Sequence, residues 1–218
     1  MSQCVVCKEE IREGLVHNDD WCPLCRHLSF RGLPHHYLKA KREHFNGGRE
    51  KLFEGHDSLF IHGKVGTGKT WLAAALMREQ ARSRERMDEH GNSIMYLDDA
   101  RFISLPELAI EIRDTMGNSS SDSESKIISR YTKVKTLFLD DIGAEKVSDY
   151  IKSILFLIME RRNTMLGGRT VITSNLSLRE LDKEHGARIA SRISEMCRGG
   201  IVKMTGADRR ISTNGEER

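Results

Sequence analysis

A chain of 218 residues with 38% apolar and 31% charged residues can bury one sizeable α/β core and a small accessory module, but hardly two full domains. No apolar run reaches bilayer-crossing length, and the opening MSQCVVCKEE lacks the basic-then-apolar stretch of a secretory leader, so a reducing, cytoplasmic setting is expected. The formal charge of +3 is too small to argue for a nucleic-acid partner, and the run Arg78, Arg82, Arg84 and Arg86 reads first as a solvated helix face.

The first feature in chain order is a pair of CxxC motifs, Cys4 with Cys7 and Cys22 with Cys25, separated by fourteen residues. In a reducing setting this spacing points to metal. Each CxxC can fold as a tight turn that offers two sulfurs, and two such turns close a tetrahedral Zn²⁺ site with no position left for water. Such a site is structural, not catalytic. Asp19 and Asp20, just ahead of Trp21, fit a hairpin turn with one aromatic over a very small core, and a segment this short does not fold on burial alone. Residues 1–32 are therefore expected to form a zinc ribbon. His17 and His27 read as bystanders beside four cysteines, and the distant Cys197 reads as a small apolar filler. Leu33–Lys51 carries a helical pattern entered through LPHHY and interrupted at Gly47-Gly48, a hinge into the core of the second domain, which is expected over residues 33–218.

SLFIH, residues 58–62, is strand-like and runs into GKVGTGKT and then into the helical pattern WLAAALMREQ. Strand, glycine loop and helix in that order make a P-loop. Its members are Gly63, Lys64, Val65, Gly66, Thr67, Gly68, Lys69 and Thr70. The glycines let backbone N–H groups wrap phosphates, and the following helix points its positive end at them. Lys69 is placed to reach the β- and γ-phosphates of ATP, and the Thr70 hydroxyl to ligate Mg²⁺. Trp71 reads as packing against the sheet.

EQARSRERMDEHGNS reads as a polar helix end and loop, and SIMYL and ARFIS as extended pieces, of which Arg101–Ser104 is the preferred sheet strand. Pro106 opens a helix over PELAIEIRDTM, and Gly117–Ser125 is a Ser-rich connection expected to be mobile. KTLFLDDIG then carries an apolar run, Leu137–Leu139, into Asp140 and Asp141, as a buried parallel strand that delivers carboxylates at its carboxyl end. Asp140 is the natural Mg²⁺ partner, and Asp141 is suited to polarise the attacking water. A long helix follows over VSDYIKSILFLIMERRNTM. RTVITSN, Arg169–Asn175, is a further strand. Asn175 at its end could bond the γ-phosphate or position water, although Ser-Asn there is also an ordinary helix cap before LSLREL.

Together GKVGTGKT, ARFISLPELAIEIRD, LFLDDIGAE, VITSNLSLREL and RIASRI resemble the bacterial and phage helicase loaders of the DnaC/DnaI type and the related IstB transposition ATPases, over Leu33 to Arg210. The resemblance implies an α/β, three-layer P-loop AAA+ fold with a parallel central sheet, and ATP hydrolysis with Mg²⁺. It makes the doublet Asp140-Asp141 the family's usual form, and it places LPHHYLKAKREHF near the adenine end of the nucleotide, with Pro34 and Tyr37 as pocket candidates. It also implies an arginine ahead of the last strand, Arg192 first and Arg188 second, that acts in trans on ATP held by a neighbouring subunit, hence a homo-oligomer. Arg210 or Arg209 would sense nucleotide in cis, ADRR departing slightly from the usual ending, and no full helical lid is expected. The implied partners are a hexameric replicative helicase, docked through the zinc ribbon, and single-stranded DNA. The alternative is an IstB-like ATPase that governs transposition target choice on duplex DNA. Intact Lys69, Thr70, Asp140 and Asp141 argue against a nucleotide-gated adaptor without hydrolysis.

Overall fold

The computed structural model describes residues 2–8, 10–11, 21–45, 51–55, 57–83, 85–87, 93–95, 100–116, 122–143 and 148–208. The Asp19-Asp20 turn, the Gly47-Gly48 interruption, and Arg209 and Arg210 lie outside them. The chain divides into two compact units, Met1–Gly55 with Trp71–Phe102, and His56–Thr70 with Ile103–Arg218.

The first unit opens with β1 (Ser2–Gln3) paired antiparallel to β2 (Glu10–Ile11), and Cys4 and Cys7 sit in the chain between them. Cys22 then caps α1 (Pro23–Phe30). Its side chain accepts the Cys25 N–H, and Pro23 stands in the first turn, where a missing N–H costs nothing. The second CxxC is therefore a helix start. Beyond it the helix expected over Leu33–Lys51 is replaced by two 3₁₀ turns, His35–Tyr37 and Arg42–Phe45, and the single turn α2 (Lys51–Glu54). The buried positions explain this. Leu33, Leu38, Ala40 and Phe45 are all inside, and their spacing does not fall on one stripe of a 3.6-residue helix.

β3 (Leu59–His62) belongs to the second unit and leads into α3 (Lys69–Ser83), whose residues from Trp71 onward belong to the first. Leu72 to Arg78 are buried without a break, so this helix is enclosed around most of its circumference. β4 (Glu85–Met87), inside the segment read as a polar helix end and loop, pairs antiparallel with β5 (Ser93–Met95), which falls in the piece SIMYL read as extended.

β6 (Ala100–Ser104) includes the strand expected at Arg101–Ser104. Ser104 ends it and caps α4 (Leu105–Asp114) reciprocally: Ser104 Oγ accepts the Glu107 N–H and Glu107 accepts the Ser104 N–H. The Ser-rich connection stops earlier than the sequence suggests. Ser123 accepts the Lys126 N–H and starts α5 (Glu124–Thr132), a helix that buries Ile127, Ile128 and Tyr131. β7 (Thr136–Ile142), α6 (Asp149–Asn163), β8 (Arg169–Ser174), α7 (Leu178–His185), α8 (Ala187–Met196) and β9 (Ile201–Lys203) follow.

The five-stranded sheet has the order β6-β7-β8-β3-β9, with β3 parallel to β8 and β9, and β7 parallel to β8. β7 and β8 are buried almost throughout, which is why they read as continuous apolar runs. From β3 the chain crosses to β6, returns through β7 and β8, and finally places β9 on the other side of β3. The order thus reverses around β3, and ligands bind outside the carboxyl ends of strands at such a point. At the opposite, amino-terminal end of β7 and β8, the buried Arg162 guanidinium donates to the carbonyls of Tyr131, Thr132, Val134, Lys135 and Arg169 and to Thr170 Oγ1. Burial lowers its pKa to about 10, so it remains charged at neutral pH. Among the described residues no helix is long and apolar enough to cross a membrane.

Candidate functional site

In the first unit the four cysteines converge. Cys4, Cys7, Cys22 and Cys25 are all buried, with their sulfurs within 4.8 Å of one another. Cys7 and Cys22 sulfurs lie 3.7 Å apart, close to the ~3.8 Å that tetrahedral Zn–S bonds of ~2.3 Å dictate. The Cys22 N–H donates to Cys4 Sγ at 3.3 Å and the Cys25 N–H to Cys22 Sγ at 3.4 Å, as suits sulfurs that carry charge. Without a cation that charge is unfavourable. The Cys25 hydrogen bond pulls the Cys22 thiol down, but the Cys7 hydrogen bond and burial outweigh it and push the thiol up to about 12. Hydrogen bonds with Cys22 and Cys7, together with burial, raise Cys25 far above the ordinary thiol range. An all-sulfur, closed donor set fits zinc, and His27 is not part of it. Cys197, fully buried and raised by burial to about 12, is an inert filler as expected.

In the second unit β3 passes into the glycine loop at Gly63. The Gly63 N–H donates to Ser174 O at 3.2 Å and the Met204 N–H to His62 O at 2.7 Å, so β8 and β9 hold the loop's entry from both sides. Gly63 has φ 148°, and a Cβ there would meet the Met204 carbonyl oxygen at 2.1 Å. Gly66, at φ 77°, would place a Cβ 2.0 Å from the Asp208 carboxylate. No side chain fits either position. Within the loop, Thr67 Oγ1 and Lys69 Nζ both donate to Lys64 O at 2.8 Å, which folds the Lys69 ammonium back over the loop with only 6% of the residue exposed. Lys69 and Thr70 form the first turn of α3, whose unpaired N–H groups and dipole favour an anion.

Asp140 and Asp141 stand near the end of β7, where its pairing with β8 shifts register between Leu139 and Ile142. This irregularity re-aims two consecutive carboxylates that a regular strand would send to opposite faces. Asp141 takes φ 60°, a left-handed conformation uncommon for a residue with a side chain. Thr173 on β8 joins the pair: its hydroxyl donates to Asp140 Oδ1 at 2.5 Å and accepts the Asp141 N–H at 2.9 Å. Asn175 Nδ2 donates to Asp141 Oδ1 at 3.1 Å. Asp140 is only 7% exposed, and burial raises its pKa to about 6 against the opposing hydrogen bonds of Thr173 and Thr70 and the charge of Lys69, with Asp141 adding to the rise. A buried carboxylate raised in this way gains most from a cation. Lys69, Thr70, Asp140, Asp141 and Asn175 are thus brought together. The sequence missed Thr173, whose only signal is a hydroxyl in an apolar run two residues before Asn175. The helix-cap reading of Ser174-Asn175 does not hold either: Ser177 with Glu180 caps α7, and Asn175 is left to Asp141.

The family described as IstB-like ATP binding protein matches residues 51–195, a span that contains all of these groups. The chain belongs to the IstB-like ATP-binding family. Among curated relatives it is 30% identical over 142 residues to the replicative helicase loader DnaC of Escherichia coli strain K12, covering 65% of this chain and 52% of that protein. To the replicative helicase loader DnaI of Bacillus subtilis strain 168 it is 29% identical over 129 residues, covering 58% of this chain and 35% of that protein. The chain therefore spans about half, or less, of the length of these relatives. A crystal structure of the DnaC helicase loader superposes with a TM-score of 0.58 at 20% identity, over 78% of this chain and 98% of that one. The fold is the α/β P-loop AAA+ fold with a parallel central sheet. The cysteine cluster lies outside the span that the IstB-like family matches.

The arginines of this IstB-like chain are placed as follows. Arg192 on α8 pairs with Glu160 of α6 at 2.5 Å and with Glu195 on its own helix, and is 22% exposed as a side chain. Arg188, one turn earlier, is exposed and stacks on Phe156 of α6 at 4.3 Å. Neither is bonded to the Lys69–Asp140 group. Arg210 falls outside the described residues.

Proposed function

We propose that this chain binds Mg²⁺-ATP at the Gly63–Thr70 loop, hydrolyses it, and acts as an ATP-dependent loader of a hexameric replicative helicase onto single-stranded DNA. The observation that carries the ATPase reading is the juxtaposition of the α3 N-terminus with Asp140, Thr173, Asp141 and Asn175. Nucleotide and metal supply the phosphoryl group and the charge that offsets its oxygens. Lys69 would turn from the Lys64 carbonyl to the phosphates, and Thr70 with the ionised Asp140 would hold Mg²⁺. Asp141, fixed by Asn175 and by its own N–H on Thr173, would orient the attacking water. Arg192, drawn away from Glu160 and Glu195, would act on ATP of a neighbouring copy, and Arg210 would sense the γ-phosphate in its own. We propose residues 1–32 as a zinc-bearing docking module for the helicase.

The similarity to two helicase loaders supports this choice of partner. The family match favours a second reading, an IstB-like regulator that selects transposition targets on duplex DNA. Two measurements test both. ATP turnover of the wild type should vanish in Lys69→Ala together with ATP binding; an alanine variant that still binds and turns over would refute the site. In pull-downs from the source cell, a hexameric helicase supports loading, whereas a transposase in its place overturns loading in favour of the second reading.

A further inference from the structure

A segment beyond β9 lies along the glycine loop, within the second unit. Met204 fixes its start: the Met204 N–H donates to His62 O at 2.7 Å, and the Met204 carbonyl sits so close to Gly63 that no Cβ fits there. Four residues on, Asp208 meets the loop a second time. A Cβ at Gly66 would run into its carboxylate carbon and both carboxylate oxygens, all within 2.4 Å, so the acid is seated on the middle of the loop, three residues before Lys69. Between these contacts Thr205, Gly206 and Ala207 are exposed. Gly206 takes φ 132°, a conformation that favours glycine, and nothing lies within 4 Å of where its Cβ would be. Residues 204–208 thus form a strap that is anchored at Met204, seated at Asp208 and unpacked at Gly206.

A glycine loop that opens a helix favours negative charge, through its N–H groups, the helix dipole and Lys69. A carboxylate seated there draws on the same attraction as phosphates do, and two anions at contact distance repel each other. We infer that Asp208 competes with nucleotide for the glycine loop: its carboxylate holds the strap against Gly66, and ATP or ADP enters by displacing it, with Gly206 as the pivot and Met204 as the fixed end. This rests on the Mg²⁺-ATP reading of the loop and adds a gate to it. The apparent affinity for nucleotide is then the intrinsic affinity multiplied by the fraction of chains in which the strap is open.

Calorimetric titrations of the full chain with Mg²⁺-ATP and Mg²⁺-ADP, wild type beside Asp208→Asn, Gly206→Ala and the double variant, test the gate. A charge held at a partly buried helix N-terminus is worth about 5–30-fold in population, so Asp208→Asn should bind both nucleotides tighter by a factor in that range. The factor should be the same for ATP and ADP, because either must displace the same strap. A fixed carboxylate that only repelled phosphate would instead oppose the more highly charged ATP more strongly. Gly206→Ala keeps the carboxylate but disfavours φ 132°, so it should open the strap and tighten binding too. The double variant should gain less than the product of the two single factors, since a strap already open has little left to release. Wild type and variants that all fail to take up nucleotide would sink the ATP reading, and this inference with it. Wild-type binding with unchanged or weaker affinity in Asp208→Asn would overturn the gate alone. So would a gain that differs between ATP and ADP, or a folded Gly206→Ala that binds no tighter than the wild type. Should one single variant fail to fold, the other decides.

Discussion

Asp140→Asn is expected to make the nucleotide-free protein more stable while it abolishes turnover. Burial raises the Asp140 pKa from 3.8 to about 6, a net value that already includes the favourable bonds of Thr173 and Thr70 and the attraction of Lys69. Since each unit corresponds to ~1.36 kcal/mol, the ionised carboxylate disfavours the folded state by about 3 kcal/mol relative to the neutral acid. The sign follows from the direction of the shift. A group whose folded pKa is raised contributes stability below its unfolded value, and that contribution is lost as pH rises from about 4 through about 6. Asparagine keeps the acceptor for the Thr173 hydroxyl and carries no charge. At pH 7.5 the variant should therefore melt higher by roughly 6–12 °C, taking 2–4 °C per kcal/mol for a chain of this size. The two proteins should converge near pH 4. Mg²⁺-ATP should stabilise the wild type more than the variant, because the cation offsets the charge that burial disfavours. Thermal melts across this pH range, with and without Mg²⁺-ATP, read all three effects. An advantage that is absent at pH 7.5, or that grows as pH falls, would refute the reasoning.

Thr173→Val removes the hydroxyl that joins Asp140 to Asp141 and strands the Asp141 N–H, so stability should fall by about 1–3 kcal/mol in urea titrations and turnover should fall more than ATP affinity does. Arg192→Ala should keep ATP binding and lose about 10³-fold or more in turnover if the residue acts in trans, whereas unchanged turnover would remove it from the mechanism. Arg162→Met should destabilise by about 3–5 kcal/mol, since it removes a charged donor shared by five carbonyls and one hydroxyl, of which Lys135 O keeps the Arg169 N–H, and it should leave the ATP affinity of the folded fraction unchanged.

The parts of this molecule legible in its sequence are those specified locally. The P-loop needs glycines where φ is positive or neighbours press close, and Gly63 and Gly66 declare both. β7 and β8 are buried on both faces and so appear as apolar runs. What stayed hidden depends on distant partners. Arg162 stands in the polar sequence ERRN at a helix end and looks like a surface residue, yet the chain turns there so that five carbonyls face it. Thr173 is an ordinary strand residue until the β7 irregularity brings two carboxylates to it. α5 is masked by the serines before it, since two turns bearing Ile127, Ile128 and Tyr131 give too short a period to stand out. Over 33–45, Pro34 favours extended backbone and the apolar positions serve no single face, so composition suggested a helix where packing sets two 3₁₀ turns.

The two ends of the sheet show why the carboxyl end is the place for chemistry. At the amino end a buried cation has each contact it needs, and such a network is rigid and has little to gain from any ligand. At the carboxyl end Thr173 and Thr70 reduce, but do not cancel, the unfavourable burial of Asp140, and Asp141 beside it is held in a left-handed conformation. A site left short of positive charge binds a metal-nucleotide complex with free energy that would otherwise be absent. Bound Mg²⁺ should therefore offset the charge whose burial Asp140→Asn relieves, and the melts with and without Mg²⁺-ATP should show the variant's stability advantage shrinking once the complex is bound.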